Sequence, residues 1–169
     1  MTAINDATCE YRIARPEDTS DTEALDGAFR TSTALEVAVT GDGFALREVP
    51  ADPPLVEVFP EDEGGDDAET EGGGADARTF VAVGAARARV GFAAVSCSPW
   101  NRRLTIEDIE VAADHRGRGI GRALTGHALD FARERGAGHV WLDVTNVNAP
   151  AVHAYRRMGF SLCGLDAAL

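Results

Sequence analysis

The chain has 169 residues, a formal net charge of −12, and 44% hydrophobic residues. That is the size and composition of one globular domain with a sizeable core. The acid excess argues against a general nucleic-acid binder, which needs positive charge at least in a patch. No apolar run approaches the roughly 20 residues that a membrane span needs.

All sixteen basic residues are Arg, and there is no Lys. Acid excess with Lys depletion is the pattern of salt-adapted proteomes. At molar salt the Debye length falls to about 3 Å, so self-repulsion is screened. A halophilic source is the expectation. The start, MTAINDATCEYRIARPED, has no apolar core behind a basic stretch, so a signal peptide is not expected and a cytoplasmic protein is. Cys9, Cys97 and Cys163 form no Cys-x-x-Cys pair, which predicts free thiols and no metal site.

Along the chain, Ile4, Tyr11 and Ile13 suggest a short strand and Thr19–Arg30 a short helix. Leu35–Val39 and Phe44–Glu48 flank Thr40-Gly41-Asp42-Gly43 and predict a β-hairpin with Asp-Gly as the turn signal. Pro50, Pro53 and Pro54 are expected to break regular structure. The acidic, low-complexity run at 61–77 is expected to be a mobile surface loop within a single domain spanning 1–169. Arg78–Val83 and Arg89–Ser96 alternate as strands, and Ser98-Pro99-Trp100-Asn101 is a turn. Leu104–Val111 is a strand whose apolar phase slips. Ile106 lies on one face and Ile109 and Val111 on the other, so a bulge is predicted near Glu107-Asp108. Gly119–Arg135 has helical spacing at Ile120, Leu124, His127/Ala128 and Phe131, with Gly136 as its stop. His139–Val144 is the next strand. Asn148 can cap a second helix, with Pro150 in its first turn and Gly159 at its end. Phe160–Gly164 is expected to open a last strand. Strands alternating with helices in the second half predict a mixed α/β sheet.

The loop between the phase-slipped strand and the first long helix reads Asp114-His115-Arg116-Gly117-Arg118-Gly119-Ile120-Gly121-Arg122. Closely spaced glycines let the backbone turn tightly and bring its N–H groups near a ligand. The helix N-terminus behind them adds about half a positive charge. Arg116, Arg118 and Arg122 add more, and together these features favour a phosphate-bearing ligand. A Walker A loop fails for want of Lys. A dinucleotide fingerprint counted from Gly117 meets Arg122 where Gly is required, although Asp143 stands where a ribose-binding acid would. The pattern Arg/Gln-x-x-Gly-x-Gly/Ala is satisfied by Arg116, Gly119 and Gly121.

A second motif follows about 30 residues on. HRGRGIGRAL, followed by NVNAPAVHAYRRMGF, resembles the GNAT acetyltransferase superfamily over roughly residues 104–164. Trp100-Asn101-Arg102, Ile106-Glu107-Asp108-Ile109 and Gly164-Leu165-Asp166 are similar to its streptothricin acetyltransferase branch. The resemblance implies a mostly antiparallel sheet, splayed between the strand before the loop and the strand after the helix and flanked by helices. It implies acetyl-CoA as cosubstrate, with its pyrophosphate on the backbone of Arg118, Gly119, Gly121 and Arg122. Backbone groups of Ile109 and Val111 would pair with the pantetheine amides, and Asn148 would approach the cofactor.

The implied chemistry is direct transfer of acetyl to an amine. An amine of pKa about 10.4 is only about 0.04% neutral at pH 7, a penalty of about 4.6 kcal/mol. A carboxylate that takes the ammonium proton removes it. Glu107, Asp108 and Asp143 are the candidates, and sequence does not choose among them. Tyr155 stands, by family position, where it would protonate the departing thiolate. His115, His127, His139 and His153 pair with nothing at nucleophile spacing, so an acyl-enzyme is not expected. The acceptor implied is a small cationic amine; a protein amine and a non-catalytic acyl-CoA sensor are the other readings. The chain stops at Asp166-Ala167-Ala168-Leu169, where relatives continue through one more strand. A natural short form, truncation, or a strand supplied within a homodimer would each account for that.

Overall fold

A computed structural model describes residues 9–58 and 76–166. In chain order the strands are β1 (Glu10–Ile13), β2 (Phe29–Thr40), β3 (Gly43–Glu57), β4 (Asp76–Val83), β5 (Arg89–Ser98), β6 (Arg103–Val111) and β7 (His139–Trp141). The helices are α1 (Thr19–Glu23), α2 (Ile120–Glu134) and α3 (Ala149–Arg157). They divide between two units, Met1–Gly27 with Pro60–Asp143, and Ala28–Phe59 with Val144–Leu169.

The first unit holds a five-stranded sheet in the order β1-β4-β5-β6-β7. Neighbours are antiparallel except β6 and β7, which run parallel. Helix α2 has its apolar residues at Ile120, Leu124, Ala128 and Phe131, one per turn, and all four are buried. They cover the sheet face that carries Phe80, Ala93, Val95, Leu104 and Ile106. Gly91 lets the helix come close. A Cβ there would lie 2.9 Å from the Glu110 carbonyl and 3.3 Å from both Ile120 and Leu124 side chains.

The opposite face is built around a buried charge. Asp18 is fully buried and accepts Nη1 and Nη2 of Arg12 at 2.6 and 2.9 Å, Nε of Arg89 at 2.6 Å and the Arg15 N–H at 2.7 Å. These partners hold its carboxyl well below the usual carboxylate range, led by the bond from Arg12 and opposed by desolvation. The residue thereby fixes the start of α1 against β1 and β5. Arginines from β1 and β5, the two strands that flank β4, converge on one acid, so either cation left alone would be poorly solvated.

The second unit pairs β2 and β3 as a long hairpin. Thr40 and Gly43 are paired, so the turn is Gly41-Asp42, and the glycine of the expected Asp-Gly signal is the first residue of β3. The prolines do not end the strand; β3 runs through Pro50, Pro53 and Pro54 to Glu57. Each strand of this sheet has one neighbour among the described residues, so a proline loses no ladder bond on its open side. Pro53 and Pro54 fall where the register slips between Thr31 and Thr33. Helix α3 starts as expected, with the Asn148 side chain accepting the Ala151 N–H at 3.1 Å. Ala149 and Val152 pack on Leu35, with Leu46 and Val144 alongside.

Other expectations need correcting. The first helix ends at Glu23, and Phe29 and Arg30 belong to β2. Between them Gly27 passes close to the Glu110 side chain. β7 stops at Trp141 instead of Val144, because its pairing with β6 ends at Thr105. Phe160–Gly164 forms no strand. Gly159, with φ of +96°, turns the chain so that the Phe160 N–H reaches the Tyr155 carbonyl at 3.0 Å and its ring meets Tyr155 edge-on. Ile4 and residues 61–75 of the acidic run lie outside the described residues, whereas Asp76 and Ala77 open β4. The thiols of Cys9, Cys97 and Cys163 are free. No described helix is long and apolar enough to cross a membrane.

Asp18→Asn is expected to lower unfolding free energy by about 3 kcal/mol, because it strands two guanidiniums. The wild-type contribution is complete above the ordinary carboxylate pKa and is lost as pH falls. Denaturant melts at neutral and acid pH check both statements.

Candidate active site

The strand β6 has β5 along its whole length but β7 only at Arg103–Thr105. Beyond Thr105 no described strand pairs with Ile106–Val111 on the β7 side. The two parallel strands therefore part where the resemblance implies a splay. The predicted bulge is present at Glu107, between the Ala94–Asp108 and Val95–Ile106 pairs. It bends β6 just beyond the last β7 pair.

That extra residue decides which side chains face where. Ile109 and Val111 pair with Ala93 and Gly91, so they join Leu104 and Ile106 on the α2 face. Asp108 and Glu110 pair with Ala94 and Phe92 and point to the other face. Glu107 joins them, since its carboxylate accepts the Ser96 hydroxyl in a short hydrogen bond.

At the end of β6 the loop takes the shape its glycines permit. Gly117 and Gly119 have φ of +74° and +87°, and no heavy atom lies within 4 Å of where either Cβ would be. A side chain is thus excluded by backbone conformation and not by crowding. Gly119 is the N-cap of α2, with no side-chain cap. The first N–H groups of the helix have no intrahelical acceptor, and this open, cationic end suits a pyrophosphate. Ile120 is buried in the core, so only its backbone belongs to the loop. Gly121 sits over Val111, whose Cγ2 would be 3.8 Å from a Cβ there. Arg118 and Arg122 are exposed.

Arg116 does something other than point outward. Its Nε donates to the Val111 carbonyl at 2.8 Å and its Nη2 to the Asp26 carbonyl at 3.1 Å. It ties the loop back to β6 and to the segment leaving α1.

Asp143 is exposed, two residues past the end of β7. Glu107 and Asp108 are exposed as well. In the second unit the Asn148 side-chain carbonyl is engaged in capping α3, and Tyr155 lies on the same helix, partly buried. Among the described residues no three His, Cys, Asp or Glu side chains gather as a metal site.

One acid was absent from the sequence candidates. Glu110 is partly buried, and its carboxyl is pushed up to about 7. Desolvation is the main cause; Asp108 and Asp26 add to it and Arg116 opposes it. Its side chain lies against Gly27, where a Cβ would be 2.9 Å from the Glu110 Cδ. Period two from Asp108 across Ile109 was the available signal, since it puts both acids on one face.

Residues 46–160 match the Acetyltransferase (GNAT) family. The chain belongs to this family. Streptothricin acetyltransferase of Streptomyces lavendulae is 70% identical over 171 residues, covering 100% of this chain and 90% of that one. The crystal structure of nourseothricin acetyltransferase superposes with a TM-score of 0.84 at 61% identity, over 95% of this chain and 88% of the other. A Bacillus anthracis protein, crystallised with acetyl coenzyme A, shares the fold with a TM-score of 0.74 at 20% identity, over 93% and 86% of the two chains. The fold is thus the mixed α/β GNAT fold, with a mainly antiparallel sheet and flanking helices. The chain is an acetyl-CoA-dependent N-acetyltransferase.

The raised Glu110 fixes a sign. Its folded pKa of about 7 exceeds the ordinary glutamate value of 4.5, so its stabilising contribution is complete below the latter and lost as pH rises through the former. Glu110→Gln removes that loss. The variant should melt above wild type at about pH 8.5 and show no such advantage at about pH 4, as read by thermal melts across pH.

Proposed function

We propose that the chain acetylates a primary amine of a small cationic antibiotic of the streptothricin kind, by direct attack on acetyl-CoA. The observation that carries this reading is 70% identity, over the full chain, to the Streptomyces lavendulae enzyme. The open Gly117–Gly121 loop and the parted β6 edge support it.

Backbone N–H groups of Arg118, Gly119, Gly121 and Arg122 hold the pyrophosphate. The backbone of Ile109 and Val111 pairs with the pantetheine amides; the Val111 carbonyl has a lone pair left beside its bond from Arg116. Asn148 approaches the cofactor from its cap position. A carboxylate accepts the ammonium proton, and Glu107, Asp108 and Asp143 are its candidates from sequence. The amine forms a C–N bond at the thioester carbonyl, the C–S bond breaks, and Tyr155 protonates the departing sulfur. The compartment proposed for this activity is the cytoplasm.

Thiol release from acetyl-CoA across a panel of amines tests the reading. A streptothricin should be turned over with the highest kcat/KM; a wild-type enzyme silent on every amine would sink it. Tyr155→Phe should lower kcat by about 10²-fold while the acetyl-CoA Kd stays within about twofold.

The net charge of −12 with no Lys supports a salt-adapted protein. Its melting temperature should then be higher in molar KCl than in low salt, where self-repulsion is unscreened. Equal or greater stability in low salt would remove that part of the proposal.

A further inference from the structure

We propose that Glu110, held over the sheet face opposite α2 by Gly27 and the Arg116 strut, is the group that takes the proton from the substrate ammonium. This rests on the acetyltransferase reading above and names its base.

The bulge sets the face on which Glu110 stands. Without the bulge at Glu107, in a regular strand, Glu110 would share a face with Ile106 and Leu104 and turn toward α2. With it, Glu110 pairs with Phe92 and stands one residue before Val111, on the stretch of β6 that β7 leaves unpaired. The side chain therefore leaves the sheet on the face opposite α2, on the part of β6 whose β7-side edge is open.

The surroundings of Glu110 come from three elements. Asp108 lies on its own strand and face, Asp26 follows α1, and Arg116 reaches back from the loop. Gly27 passes so close that only a residue lacking Cβ leaves the carboxylate in place. Arg116 fixes this arrangement by bonding both the Asp26 carbonyl, next to Gly27, and the Val111 carbonyl, next to Glu110. It is a positioning residue in this scheme.

The alternatives are placed less well. The Glu107 carboxylate already accepts from Ser96 and is exposed. Asp143 is exposed beyond β7. A general base works best when its pKa is near the operating pH, and partial burial among two acids gives Glu110 that property. The two acids also attract the ammonium before it is deprotonated.

The step balances. The Glu110 carboxylate takes one proton from R–NH3+, leaving a neutral amine. Its lone pair forms the C–N bond at the thioester carbonyl and the C–S bond breaks, the sulfur leaving with the electron pair. The nitrogen gives up a second proton, which replaces the one delivered to sulfur by the acid assigned to Tyr155. Glu110 returns its proton to solvent. The products are the amide, CoA–SH and one proton.

The test is the pH dependence of kcat/KM for the amine at saturating acetyl-CoA, in wild type, Glu110→Gln and Glu110→Asp. Wild type should show a rising limb centred near the Glu110 pKa of about 7. Glu110→Gln should lose the limb and about 10²-fold or more in kcat/KM, with the acetyl-CoA Kd unchanged. Glu110→Asp should keep a limb at reduced rate. A Gln variant that keeps the limb and over half the activity overturns the proposal, as does a wild-type profile with no limb in this range. The wild-type profile and Glu110→Asp decide the matter even if the Gln variant does not fold. Wild-type inactivity toward every amine overturns the acetyltransferase reading as well, which separates the two failures.

Discussion

β6 answers to two neighbours with different demands. On one side it is paired with β5 from end to end; on the other it is released by β7 after three residues. A strand with one satisfied edge and one open edge can accept a further extended ligand in the place of a strand. The rest of the first unit secures that condition. α2 packs through the close approach at Gly91, and Asp18 holds α1 to the opposite face. With both faces covered, β6 keeps its shape without a full partner on the β7 side.

The bulge at Glu107 is the smallest part of this arrangement and separates two functions along one strand. Leu104, Ile106, Ile109 and Val111 all serve the core, although their spacing breaks the period of two. Glu107, Asp108 and Glu110 are thereby collected on the other face. A regular strand would have put two of the apolar residues in water or two of the acids under α2. The same insertion that keeps the core dry therefore assembles the polar face.

The apolar period of α2, the cap at Asn148, the bulge and the glycine loop were legible because each is a local signal with a steric or hydrogen-bond cause. The hairpin was legible too, but its extent was not, since the ability of β3 to carry three prolines depends on its having only one partner. The ends of β7 and of the first helix depend on where other elements stop, which no local pattern contains. At the site, the loop and the candidate acids Glu107 and Asp108 could be read directly. The role of Arg116 as a strut could not, because Asp26 is 90 residues away in sequence. Glu110 was missed for the same reason: its burial comes from Gly27, and an acid in an acidic strand reads as solvated until something is seen to cover it.

Arg116 has a further consequence. An enzyme that brings an activated acyl group close to amines is exposed to its own side chains as acceptors. A lysine beside the donor loop would be an internal nucleophile each time it lost its proton. A guanidinium stays protonated at any working pH, so it can brace the loop without competing for the acetyl group. The chain carries sixteen basic residues and no Lys, and so presents no side-chain amine to the donor it holds.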